Sequence, residues 1–324
     1  MKKRLASVLV GGLVLAGVGV MGPAQAALTT HCVGNAAGVT VPGDLVVPRG
    51  EACSLDDVTI TGNVRVAAGA DLVGNGLTVN GNVAVQEDGY LDLVETTVGG
   101  NVVNRGAYGI YLDYTDVNAY TATANVNPDS FLWTYESSFS GRVLATGGSL
   151  LLESSHAERF VETNETTYTD VLDSVVEGAL TVNDSEYGVM VCGSEIDGDG
   201  TFAGNGVGVQ LGAGGALGAC ESGPSVWGGD VTVTGTDGLA QVSNNIIRGN
   251  LAGSDNGSVA ASDNRVRGAV EGQFAEQAQQ RMMRMQLDAG AQKDADAERD
   301  VLERLRSERL GEAEELAEAA GPAF

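Results

Sequence analysis

A unit of about 19 residues recurs from Gly43 to Gly268, and a fixed period of this size confines a chain to stacked supersecondary units. The clearest copies read TITGNVRV, TVNGNVAV and TVGGNVVN, with their glycines at Gly62, Gly81 and Gly100. Two residues before the glycine an apolar rank runs through Ile60, Val79, Val98, Val117 and Phe139, reaches His156 and continues at Val176. Two residues after it a second rank runs through Leu45, Val64, Val83, Val102, Val143, Phe160 and Leu180. Apolar and polar residues alternate within each unit, as they do in a strand, with Gly or Asn at the corner. The reading is an all-β chain, a right-handed parallel β-helix (solenoid) of about eleven coils with a helical C-terminal tail.

Four segments follow from the pattern. Residues 1–26 read as a secretory signal: Lys2, Lys3 and Arg4 precede an apolar stretch from Leu5 to Val20, and Ala24-Gln25-Ala26 is a small-residue cleavage site. The apolar stretch is shorter than a membrane span requires, so no span is expected once the signal is removed, and the chain is expected to be secreted. Residues 27–42 read as an irregular, disulfide-tied N-terminal cap, and 43–271 as the β-helix. Residues 272–324 change to Ala, Glu, Gln, Arg, Met and Leu, all good helix formers, with Gly290 and Gly311 placed to break the tail into shorter helices. The tail is expected to cover the open edge of the last coil, since exposed strand edges pair with other chains.

The net charge of −25 argues against nucleic acid as a partner, because such binding needs a basic footprint. The four cysteines, Cys32, Cys53, Cys192 and Cys220, lie beyond the signal, and an even count in an exported chain reads as disulfides. Of three connectivities, sequence proximity favours Cys32–Cys53 and Cys192–Cys220. Zinc is the weaker reading, for want of closely spaced ligand pairs. The second bond would staple an insertion, GAGGALGACESGPS, to the wall. Asn63, Asn82 and Asn101 share one rank and are placed to hydrogen-bond along the stack as an amide ladder.

The last two coils, NNIIRGNLAGSDNGSVAASDNRVRGAVEGQF, set Asn245 over Asn264 and Gly249 over Gly268. With the GNV coils before it, this run resembles a group of exported actinobacterial right-handed parallel β-helix repeat proteins of unassigned activity. That group commonly ends its solenoid on Gly-Gln-Cys. Here the run ends Gly272-Gln273-Phe274, and Gly253 stands where a cysteine often sits, so closure by the tail replaces a disulfide. The resemblance covers most of 43–274 and implies the fold without implying an activity.

Extracellular β-helices include pectin hydrolases, whose aspartate and Gly-His-Gly motifs are missing as a set, and no lyase pattern organises the arginines, which lie scattered along the repeat. Fold alone is a weak warrant for catalysis. Three local features stand out. His156 interrupts an apolar rank, Glu158 replaces the corner glycine and Arg159 adjoins it, which makes these three the candidates for an acid/base or sugar site. Aligning ESS, ESS and DSV puts Glu136, Glu153 and Asp173 on one rank, where calcium would relieve the stacked charge if the acids do not splay into water. Tyr108, Tyr111, Tyr114, Tyr120, Trp133 and Tyr135 cluster in the middle coils, either as core or as a platform for sugar rings. The expected function is an exported non-enzymatic β-helix scaffold or surface-interaction protein. Its partner would be an extracellular polysaccharide or a surface protein, and no cofactor is expected beyond a calcium ion. The alternative is a polysaccharide-binding or polysaccharide-cleaving β-helix.

Overall fold

Strict alternation buries every second residue of each short strand, and no single coil can shield its own apolar side. Stacking resolves this. In the computed structural model, which describes residues 28–123, 127–280 and 295–324, the chain winds as a parallel β-solenoid. Each turn contributes one strand to a broad 12-stranded sheet, and the short strands between build a second, bent sheet of 23 strands. Neighbouring turns pair in parallel register, with Val64 beside Val83 and Val83 beside Val102. One continuous core fills the bore, from Cys32 and Leu45 at one end to Leu251 and Phe274 at the other. A residue in the left-handed region marks the corner after the broad sheet, at Asp57, Gly76, Glu95, Tyr114, Glu136, Ser154 and Asp173 in successive turns.

The amide ladder forms as expected and begins on a carboxylate. The backbone and side-chain amides of Asn63 donate to Asp44 Oδ1 at 2.7 and 3.1 Å. Asn82 donates to Asn63 in the same way at 2.9 and 3.2 Å, and the Asn101 backbone donates to Asn82 at 2.9 Å. A second ladder, inside the wall, is built of hydroxyls. Backbone amides of Thr115, Ser155 and Ser174 donate to the hydroxyls of Ser137, Ser174 and Ser194 at 3.0–3.1 Å. Each of these hydroxyls donates in turn to the carbonyl two residues back, so each is satisfied both as donor and as acceptor.

Both expected disulfides are present, Cys32–Cys53 and Cys192–Cys220, each with Cα atoms 5.6 Å apart. The second ties the insertion to the strand Val189–Cys192.

Two features differ from the sequence reading. The expected irregular cap is already a turn of the solenoid: Thr29–His31, Gly34–Ala37 and Thr40–Val41 pair in register with the turn above. Its turn residues hide the repeat, but its alternation still carries it. The tail forms two helices, α1 (Gln273–Gln280) and α2 (Ala295–Ala320). Gly311 lies inside α2 without breaking it, because strong helix formers flank it on both sides. The signal at 1–26, and Gly290, lie outside the described residues.

The two helices have different positions. α1 closes the end of the stack: Phe274 is fully buried, over Gly253, where a Cβ would stand 2.7 Å from the ring. Gln273 accepts from the backbone and side-chain amides of Asn256 at 2.9 and 3.0 Å, and Asn256 in turn accepts from the backbone amide of Thr236 at 3.0 Å. The expected closure by the tail is therefore made by α1 alone. α2 lies along the broad sheet and runs back toward the first turn. There Ala323 N donates to Asn35 O at 2.8 Å, and Asn35 N donates to Gly321 O at 2.8 Å. Gly34 permits the approach, with φ +100 and no room for a Cβ beside Gly321 O.

Candidate functional site

The candidates around His156 sit on the outer wall, and the register there is one residue off from the sequence reading. Phe139 pairs with Ala157 and Ser138 with His156, so Ala157 enters the bore and His156 faces out. Arg159 takes the corner instead of Glu158, and Val161 turns inward in place of the exposed Phe160. The physical reason is cost. Outward, the imidazole Nε2 meets Glu177 Oε1 at 3.1 Å and reaches water, while inward it would need a buried partner. Glu158 and Arg159 are exposed. The structure brings His156 to Glu177, and leaves Glu158 and Arg159 exposed to solvent.

The same shift separates the acidic trio. Glu136 and Asp173 share the left-handed corner rank, but the residue between them is Ser154. Glu153 is one position back, between Tyr135 and Leu172, and its carboxylate pairs with Arg299 of α2. Asp173 accepts from Ser222 Oγ at 3.0 Å. The three do not stack, so the arrangement that invited calcium is not formed. Among the described residues no group of three or more His, Cys, Asp or Glu gathers in a way that would hold a metal ion.

The aromatic cluster divides in three. Tyr120 fills the bore, where its hydroxyl accepts from Asn104 Nδ2 at 3.1 Å. Tyr90, Tyr111, Phe131 and Trp133 stand on the outward side of the broad sheet and are buried beneath Leu302, Leu305 and Leu310 of α2. Tyr111 and Trp133 meet edge to face at 5.0 Å. Between the rings stand carboxylates. Asp92, 1% exposed, receives Arg306 Nε at 2.9 Å and the Tyr90 hydroxyl at 2.7 Å. Asp71 receives Arg309 Nε at 2.9 Å. Burial pushes the Asp71 carboxyl up to about 6 despite the pull of Arg309, and burial also pushes the Tyr90, Tyr111 and Tyr168 hydroxyls up. Tyr108, Tyr111 and Trp133 of the expected sugar platform are thus part of the seat of a helix. Tyr114 and Tyr135 remain outside it, edge to face at 6.2 Å.

An open depression lies on the bent sheet, in the first turns. It encloses ≈ 540 Å³ and is lined by His31, Arg49, Arg65, Gln86, Glu87 and Arg105 around a floor of Val46, Pro48, Ala67 and Ala68. A second depression of ≈ 500 Å³ shares Val46, Arg65 and Arg105 and continues past Asn63, Asn82 and Ala84. Winding explains the convergence. Val46, Arg65 and Ala84 occupy one outward rank in consecutive turns, and Ala67, Gln86 and Arg105 follow the next inward rank at the corner. Arginines that are scattered in sequence become neighbours in space. Their signal is present in the sequence as positions taken modulo the repeat, and it is weak because only three turns carry it.

The fold defines the class: a parallel β-solenoid closed at one end by a short helix and strapped along one face by a long one. Comparison with protein-family models, with curated proteins and with solved structures finds no match. Among the described residues no helix is long and apolar enough to cross a membrane.

Proposed function

We propose that this chain is an exported, non-enzymatic β-solenoid scaffold whose outer wall engages a partner at a surface. The observation that carries the reading is the continuity of the rod. The bore is packed along its length and both ladders tie neighbouring turns, so the outward ranks are held at fixed spacing. Such a wall suits recognition of an extended partner, an extracellular polysaccharide or a surface protein. Two disulfides support an oxidising compartment, in keeping with the secretory reading of residues 1–26. The polysaccharide alternative is favoured at one place, the arginine-lined depression.

Incubation of the purified chain with uronate and neutral glycans tests the reading. The glycans are expected to emerge uncut. Product release that disappears in a Glu158→Gln variant would overturn the scaffold and establish cleavage.

A further inference from the structure

From the depression in the first turns we infer that the solenoid carries a binding site for a carboxylate-bearing oligosaccharide, held by Arg49, Arg65 and Arg105. The inference rests on the surface-interaction reading and names its ligand class. Arginines on a chain of net charge −25 ordinarily find carboxylates, and on α2 Arg299, Arg306 and Arg309 do. In the depression none of the three guanidinium groups has a hydrogen-bond or ion-pair partner among the described residues. Glu87 is the one carboxylate of the lining, and Asp44, in the adjoining depression, is engaged with the amides of Asn63. Gln86 lies in the same lining, and its buried Nε2 has no hydrogen-bond partner among the described residues.

The chemistry of the rim and floor narrows the ligand. Guanidinium forks match carboxylates through paired N–H donors. Val46, Ala67, Ala68 and Ala84 offer a small-residue, apolar floor suited to the C–H face of a sugar ring. Arg49 and Arg105 lie three turns apart, about 14 Å along the axis at the usual strand separation, a reach of several sugars. The charge of the whole chain opposes densely charged polymers such as nucleic acid. At physiological salt, screening over about 8 Å leaves the local arginines to decide the binding of a short carboxylated oligosaccharide.

Titration calorimetry of the full chain with an oligogalacturonate of defined length tests this, beside a neutral galactan oligosaccharide, a glycerol-phosphate polymer and a single-stranded DNA oligonucleotide. The oligogalacturonate is expected to bind and the neutral sugar to fail. The Arg65→Ala/Arg105→Ala double variant should weaken binding about tenfold or more. The Arg65→Lys/Arg105→Lys variant, which keeps charge and loses the fork, should weaken it several-fold. An Arg248→Ala/Arg267→Ala variant removes the same charge at the other end of the rod and should bind as the parent does. No binding of the oligogalacturonate, equal loss in the distant variant, or tighter binding of the phosphate polymer or of DNA would each overturn the site. Absence of binding leaves the scaffold reading standing. Shortening of the oligogalacturonate during the titration would remove both.

Discussion

The guanidinium carbon of Arg306 lies 3.5 Å above the ring centroid of Tyr111, while the same side chain forks onto the buried Asp92. A cation over an aromatic face and a charge-assisted pair are thus joined in one residue, at the middle of the seam between α2 and the broad sheet. Removing the cation strands Asp92, whose remaining partner is the Tyr90 hydroxyl. Arg306→Ala is expected to cost about 3–5 kcal/mol of docking, the usual loss when one member of a buried pair is deleted. Hydrogen exchange checks it: α2 amides should lose protection while the bore strands keep theirs. Unchanged protection of α2 would contradict the seam.

Asp71 gives the seam a pH dependence of known sign. Its folded-state carboxyl titrates near 6, above the ordinary 3.8, so folding favours the protonated form. The contribution of this group to stability is complete below about pH 4 and is lost as pH rises through about 6. Asp71→Asn removes the titration, and its stability relative to the parent should rise across that window by on the order of 2 kcal/mol. Arg309, Asp88 and Glu312 surround the group and are unchanged in the variant. Urea titrations at pH 4 and pH 7 measure the difference. A variant whose relative stability falls as pH rises would contradict the desolvation argument.

Gly311 sits in the interior of α2 with open space where a Cβ would be. Gly311→Ala should stabilise the docked helix by about 1 kcal/mol, through helix propensity and a smaller loss of backbone entropy. A rise in the unfolding midpoint checks it. A fall would place Gly311 at a break in the helix.

Phe274 plugs the last turn over Gly253. Phe274→Ala should cost about 3–5 kcal/mol by the cavity it leaves. Deleting residues 272–324 should uncover the strand edge at Val270 and Glu271, and light scattering should then report association that grows with concentration. A truncated chain that stays monomeric would show that α1 guards no open edge.

The stack itself was legible because GNV copies repeat with little change, and the disulfides because each pair spans a short interval of chain. The site around His156 was not. Two ESS tripeptides invite alignment of Phe139 with His156, yet Ser137 N donates to Ser155 Oγ at 3.3 Å, so the second tripeptide is displaced by one residue. Identity in three letters is outweighed by the free energy of facing an imidazole outward and an alanine inward, and a one-residue slip reverses every face. The seat of α2 was hidden for a related reason. Arg299, Leu302, Arg306, Arg309 and Ala313 form one helical face, but a mixed charged and apolar stripe reads as solvated until the matching acids and rings of the sheet are known. The arginine depression needs four turns in register before it exists at all.

That residues one turn apart lie side by side is tested most directly by oxidation of paired cysteines. Thr59 and Thr78 are register partners on the outer wall, and Thr78 pairs in turn with Thr97. A Thr59→Cys/Thr78→Cys variant, with Cα atoms about 4.8 Å apart, should cross-link readily under mild oxidant. A Thr59→Cys/Thr97→Cys variant, two turns apart, should stay reduced. Cross-linking of the second pair in preference to the first would contradict the stacking of turns, and with it every neighbour relation drawn from that stacking.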